Sequence, residues 1–304
     1  YNLALDRLAG VKKSSILFAK AKARMGEIRY KLKKYAEAQK DFRWVEKYVV
    51  DPDNVTTDQE RTANRLQARA IAVYYSSTCY RAQERWDEVI NRLADYEANF
   101  NQDHVKNFHG PVHSERISAY IKLAKLDEAE AEYEKLKVLD PESSRVAQAA
   151  YRLGMAYFEA SDKAEAAKDL DTWRMCLTKA ANYFTFYLGK KTTPTFKDFQ
   201  TIGIWWYKLD DLEQSAPKLK TALEMLSAAI DKIEDKTDRN PEFVKQTKMA
   251  EGITVMLSEI LLKSGKFAEA RGLFENLLLP DPAGKQRVME LLEQQEHTMT
   301  ELNE

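Results

Sequence analysis

Between residues 103 and 115 the chain reads DHVKNFHGPVHSE, which places Asp103, His104, His109, His113 and Glu115 within thirteen residues. Imidazoles and carboxylates are the donors of zinc sites, provided three or four of them converge on one point. Gly110 and Pro111 separate His109 from His113, and such a pair predicts a loop in which the two rings do not share a helix face. The expectation is therefore solvated or helix-capping histidines in a connection, with no metal bound. None of the sequence signatures G-x-S-x-G, HExxH, G-x-G-x-x-G, CxxCH or the phosphate-binding P-loop is present. Cys79 and Cys176 stand almost a hundred residues apart and read as small packed apolar residues. No catalytic residue and no cofactor is expected, so the chain reads as a non-enzyme.

Composition points the same way. The chain has 304 residues, 44% hydrophobic and 31% charged, with a net charge of −1. That balance suits a folded soluble protein and argues against nucleic acid or an anionic membrane as the main partner. The charge is unevenly spread: residues 1–50 carry thirteen Lys/Arg against five Asp/Glu, and residues 251–304 carry five against ten. A basic first end and an acidic last end leave head-to-tail self-association open. The apolar run at 277–280, like every other in the chain, is far short of the roughly 20 residues that span a bilayer. Tyr1 in place of an initiator methionine suggests a processed or excised chain, and the compartment, whether bacterial periplasm, cell envelope or cytoplasm, is not written in the sequence.

Gly and Pro, ten and eight residues, are about half as frequent as usual, and apolar residues follow the i, i+3, i+4, i+7 spacing of helices. The expected fold class is all-α. Breaks at DPDN (51–54), NFHGP (107–111), DPESS (140–144), GKKTTP (189–194), DRNP (238–241) and PDPAG (280–284) divide the chain into helical pairs. Four segments superimpose without gaps: KYAEAQKDFRWV, RWDEVINRLADY, KLDEAEAEYEKL and KFAEARGLFENL. In each, Tyr35, Trp86, Leu126 or Phe267 precedes a smaller residue (Ala38, Val89, Ala129, Ala270) by three, and a large one follows four later: Phe42, Leu93, Tyr133 or Phe274. Gly26 and Gly154 mark a preceding helix, and three copies close with Asp-Pro.

This pattern resembles the tetratricopeptide repeat, and the lengthened copies are similar to such proteins of the bacterial cell envelope. The resemblance implies a right-handed α-solenoid of antiparallel hairpins, in which the small residue permits close helix approach and the aromatic fills the space between hairpins. The expected organisation is a single solenoid over 1–304. It comprises a remnant helix at 1–10 ending at Gly10, repeats near 12–53, 57–101, 110–143, 144–189, 195–236 and 241–282, and a polar capping helix at 283–304. Phe184 and Leu219 are aligned with Phe42, which makes SDKAEAAKDLDT (161–172) an insertion in the fourth repeat. Pro217 falls in the first turn of the fifth repeat's second helix.

The resemblance further implies binding of a partner polypeptide in the groove formed by the first helices. By register that groove holds Tyr30 and Lys31; Tyr74 and Arg81; Ile121 and Lys122; Tyr151, Met155 and Phe158; Tyr207 and Lys208; and Lys263. Lys31, Lys122, Lys208 and Lys263 recur at one place. A lysine in a last helical turn complements the helix dipole, and a lysine row beside aromatic faces also suits a peptide with acidic groups. The chaperone-tail type of these repeats needs paired Lys and Asn where Ala23 and Glu27 stand. The expected function is a non-enzymatic interaction scaffold, with an accessory domain of a larger enzyme or a self-assembling scaffold as the alternative.

Overall fold

The computed structural model describes residues 1–50, 58–103, 105–237, 239–275, 290 and 293. Among these every regular element is helical: α1 Asn2–Ala9, α2 Phe18–Lys31, α3 Tyr35–Val50, α4 Gln59–Arg81, α5 Trp86–Leu93, α6 Tyr96–Asn99, α7 His109–Lys122, α8 Leu126–Leu139, α9 Ser144–Ala166, α10 Leu170–Lys190, α11 Phe196–Lys208, α12 Leu212–Ile230, α13 Pro241–Lys263 and α14 Phe267–Glu275. The chain forms two compact units, Tyr1–Ala156 and Tyr157–Glu304. In the first, hairpin α2/α3 packs on α4, and α4/α5 packs on α7 of hairpin α7/α8. In the second, α10 packs on α11 of hairpin α11/α12, and α12 packs on α13, which pairs with α14. Contacts run to the neighbouring helix and seldom farther, which is the economy of a helical repeat.

Helix starts follow from side chains that accept orphan backbone N–H groups. Asp58 caps α4, Asp169 caps α10, Asp211 caps α12 and Asn240 caps α13, while Thr195 and Asp198 form a reciprocal capping box on α11. The turns inside the hairpins share one geometry. Lys33, Glu84, Ala124, Lys168, Asp210 and Gly265 all take positive φ, between 56° and 72°. In each, the N–H of the following residue reaches a carbonyl five positions back at 2.8 to 3.0 Å, the Schellman arrangement that ends a helix in a left-handed residue. The second helix then begins two residues beyond, at Tyr35, Trp86, Leu126, Leu170, Leu212 and Phe267.

These six turns set the true register. The residue seven before each turn is Gly26, Ser77, Ile117, Ser161, Gly203 or Ser258, and the residue nine after is Phe42, Leu93, Tyr133, Leu177, Leu219 or Phe274. The side chain of Phe274 lies outside the described residues. A Cβ added to Gly26 would fall 2.5 Å from the Phe42 ring, and one added to Gly203 would fall 2.7 Å from Leu219. Small-against-large contact between the two helices of a hairpin is thus direct, and Phe42, Leu93, Leu177 and Leu219 are essentially fully buried there.

Two sequence expectations change as a result. Residues 161–172 are not an insertion: Ser161–Ala166 complete α9, Lys168 makes the standard turn, and Leu170–Thr172 open α10. Leu177, rather than Phe184, is the counterpart of Phe42, and Ser161, rather than Gly154, is the counterpart of Gly26. Turn-to-turn steps are 51, 40, 44, 42 and 55 residues. Both arms vary: the first helices alternate in length, with 14, 23, 14, 23, 13 and 23 residues in α2, α4, α7, α9, α11 and α13, and the second helices differ too, with 14 in α8 and 21 in α10. Gly10 follows the last residue of α1 as its cap, as expected, with φ −73° in the right-handed region. DPDN (51–54), Asp238 of DRNP, PDPAG (280–284) and nearly all of the 283–304 capping helix lie outside the described residues.

Pro217 also sits elsewhere than expected. Because α12 begins at Leu212, the proline is its sixth residue, inside the helix. There it removes the hydrogen bond to the Glu213 carbonyl and crowds that group. The side chain is exposed, so nothing in the core depends on the ring. Pro217→Ala should raise stability by about 1 to 3 kcal/mol, the interior-proline penalty less the chain entropy the ring removes from the unfolded state. A urea midpoint that does not rise would show that α12 starts later.

Candidate functional site

Tyr30 and Lys31 close α2, Tyr74 and Arg81 lie on α4, and Ile121 and Lys122 close α7. Tyr30, Tyr74 and Arg81 converge. The Tyr30 hydroxyl accepts from Arg81 Nη2 at 3.1 Å, Arg81 Nη1 lies 3.2 Å from Glu115 Oε1, and Tyr74 contacts the rings of Tyr75 and Phe108 at 5.1 and 5.5 Å. Burial pushes the Tyr74 hydroxyl well above its ordinary range, with the Glu115 charge adding to it. Tyr30 is half-buried against Tyr35 and Tyr75, both at 5.8 Å. These rings serve the packing between hairpins as well as the surface.

In the second unit Phe158 lies flat against Trp205, 4.7 Å away, which places it in packing between α9 and α11. Tyr207 hydrogen-bonds Glu259 on α13, and the Lys263 ammonium lies 5.8 Å from the Tyr207 ring centroid. Tyr151 and Met155 stand on α9, the first 42% exposed and the second half-buried. Lys31, Lys122, Lys208 and Lys263 each stand two residues before a left-handed turn, and all four are exposed. Lys31 pairs with Glu27 and Lys263 with Asp210, both at 2.9 Å, whereas no described ion pair contains Lys122 or Lys208.

A pocket of about 180 Å³ opens beside this group, lined by Tyr74, Arg81, Pro111, Ser114, Glu115, Arg145, Gln148, Ala149 and Arg152. Its lining comes from α4, the first two turns of α7 and the first turns of α9. Burial raises the Glu115 carboxyl above the usual carboxylate range despite the opposing charges of Arg81 and Arg152. Of its charged lining the sequence points to Arg81 as a groove residue and to Glu115 only as a metal-ligand candidate, and Arg145 and Arg152 of α9 join them only through folding.

The histidine stretch corrects another expectation. His109 and His113 stand one helical turn apart on α7, because Pro111 falls in the first turn, where its missing N–H is no loss. Both rings are buried rather than solvated. His109 donates from Nε2 to the Phe100 carbonyl at 2.6 Å, and His113 donates from Nδ1 to Glu132 Oε2 at 2.7 Å. Arg116 grips Glu97 through both terminal nitrogens at 2.8 Å, lies 3.4 Å from Glu132 and also donates to the Leu93 and Ala94 carbonyls that end α5. Lys135 completes the set on Glu132 Oε1 at 2.7 Å. Burial alone would raise the Glu132 carboxyl, yet the bonds from His113 and Lys135 and the Arg116 charge outweigh it and hold it at about 2. The network ties α5, α6, α7 and α8 together. His104 lies outside the described residues, and among those described no three His, Cys, Asp or Glu side chains form a metal-holding group.

Residues 115–176, from the middle of α7 to the first third of α10, match the family model of the tetratricopeptide repeat. That segment is similar to a tetratricopeptide repeat. The matched segment contains the α8 hairpin arm with Ala129 and Tyr133, both buried, and the turn at Lys168. No curated protein matches the chain. Among solved structures, a tetratricopeptide repeat protein from Parabacteroides merdae shares 12% identity over 90% of this chain and 98% of its own, with a TM-score of 0.44. BtubC from P. vanneervenii shares 12% over 86% and 90%, at 0.35, and the human IFIT1 dimer with PPP-AAAA shares 16% over 94% and 73%, at 0.17. Tetratricopeptide repeats generally mediate protein–protein interaction, and no helix among the described residues is long and apolar enough to cross a membrane.

Proposed function

We propose that the chain is a non-enzymatic scaffold that holds a partner polypeptide with acidic groups against the face of its first helices. The observation that carries this reading is the row of exposed lysines at one register, with Lys122 and Lys208 in no described ion pair. A last-turn lysine complements the helix dipole by about 0.3 to 1 kcal/mol, which accounts for one such residue but does not require the same place in four hairpins. Within each unit, packed hairpins present their part of the first-helix surface preformed, which lowers the ordering cost of binding.

The test is retention of a partner from lysate by the immobilised chain. Lys122→Glu with Lys208→Glu should abolish retention while circular dichroism stays helical, since interface energy concentrates in a few anchors. Glu128→Lys with Glu134→Lys, on the second helix α8, should leave it intact. Retention lost with the α8 pair and kept with the lysine pair would put the partner on the second helices. Phe158 is unsuited to this test because its contact with Trp205 makes Phe158→Ala a packing change.

A further inference from the structure

The pocket between α4, α7 and α9 is rich in guanidinium groups: Arg81 bonds Tyr30 and Glu115, and Arg152 donates from Nη1 to Ser118 Oγ at 2.6 Å, which leaves its other nitrogens for a ligand. Three guanidinium groups, Arg81, Arg145 and Arg152, share its lining with one carboxylate, Glu115. Arg145 is the second residue of α9, a helix with no acidic residue in its first turn. A cation there faces the positive end of the helix dipole, an unfavourable placement that adds to the pocket's positive potential. Glu115 is only 7% exposed, and its Oε2, beside the Arg81-paired Oε1, accepts no hydrogen bond among the described residues. A buried carboxylate oxygen left without a donor is costly, so its retention calls for a reason.

We propose that this pocket receives one acidic side chain of a partner peptide, its carboxylate held by Arg145 and Arg152. This rests on the scaffold reading above and names the chemistry of its partner at one place. At about 180 Å³ the pocket lies below the roughly 300 Å³ where small-molecule sites begin, and its size suits a single side chain. Guanidinium groups match a carboxylate in two-point geometry.

The experiment is a fluorescence-anisotropy titration of the whole chain with a short, end-capped, dye-labelled peptide of alternating Glu and Gly. Its Gln counterpart, inorganic phosphate and a short oligothymidylate serve as competitors. The Glu peptide should bind, weaken as salt rises, and bind at least tenfold more weakly to Arg145→Ala with Arg152→Ala, both residues being exposed and outside the core. The Gln peptide should compete at least tenfold less well. Equal competition by the Gln peptide, an unchanged affinity of the double variant, or no binding of the Glu peptide would overturn the proposal. Displacement by phosphate or oligothymidylate at the concentration of the Glu peptide would overturn it too, reassigning the pocket to phosphate groups. The lysine pair of the retention test lies outside the pocket lining. Retention that survives the lysine substitutions while the Glu peptide binds as expected would therefore sink the scaffold reading alone, and retention lost in that pair while the Glu peptide fails to bind would sink the pocket alone.

Discussion

Glu132→Ala should destabilise the first unit by about 3 to 5 kcal/mol, the range seen when one partner is removed from a buried ion pair. The carboxylate joins His113, Arg116 and Lys135 at the junction of α7 and α8, so its loss leaves the His113 Nδ1–H buried without an acceptor. Arg116 keeps Glu97, which bounds the loss. Denaturant unfolding should show the midpoint falling with little change in slope. The same residue sets an acid response. Its folded pKa, about 2, lies below the ordinary 4.5, so the folded state holds fewer protons than the unfolded chain between these values. The stabilisation is complete above about pH 5 and lost as pH falls toward 2. A variant with an unchanged midpoint, or a wild type whose stability does not drop more steeply than the variant's over that window, would show that the network does not form.

Leu177→Ala should cost about 2 to 5 kcal/mol, the usual price of emptying a fully buried leucine site. Leu177 is 1% exposed and stands nine residues after the Lys168 turn, where Phe42 stands after Lys33. Aligning the fourth repeat on Phe184 gives Leu177 no place in the repeat's packing. A cost under about 1 kcal/mol would therefore restore the insertion at 161–172 and displace the register derived from the turns.

The helical class and the repeat were legible because three signals recur in the sequence itself: helical periodicity, the aromatic-small-large triplet, and sparse Gly and Pro. The fourth hairpin was not, for a physical reason. Trp173, half-buried, takes the place of the small residue Ala38, and the close-approach position on α9 is filled by Ser161. Ser161 satisfies its hydroxyl on the Phe158 carbonyl at 2.8 Å and so behaves as a small residue, while Gly154 attracted the alignment. Five of the six turns use Lys, Glu, Ala, Lys or Asp in a conformation that favours glycine, and the expected glycine appears only at Gly265. Pro111 misled in the opposite way, since a residue read as a break begins a helix.

The candidate site was legible only in part. A helical register can place Lys122 or Lys208 on an exposed last turn, but it cannot show that Tyr30 is engaged by Arg81 or that Phe158 lies against Trp205. Arg145 and Arg152 share one face of α9, seven residues apart, but Glu115 stands on α7, and its convergence with them depends on how α7 and α9 meet, which no local spacing encodes.

The alternation of first-helix lengths, 14 residues then 23, has a consequence for how such a chain can grow or shrink. All six end at the same turn, so each longer helix projects its extra nine or so residues, roughly 13 Å, from its first end. Losing one hairpin would bring two helices of equal length into succession and break the order, whereas losing two in succession preserves it. A pair of hairpins is accordingly the unit over which the order of lengths repeats, some ninety residues as judged by the Lys33-to-Ala124 and Ala124-to-Asp210 steps of 91 and 86.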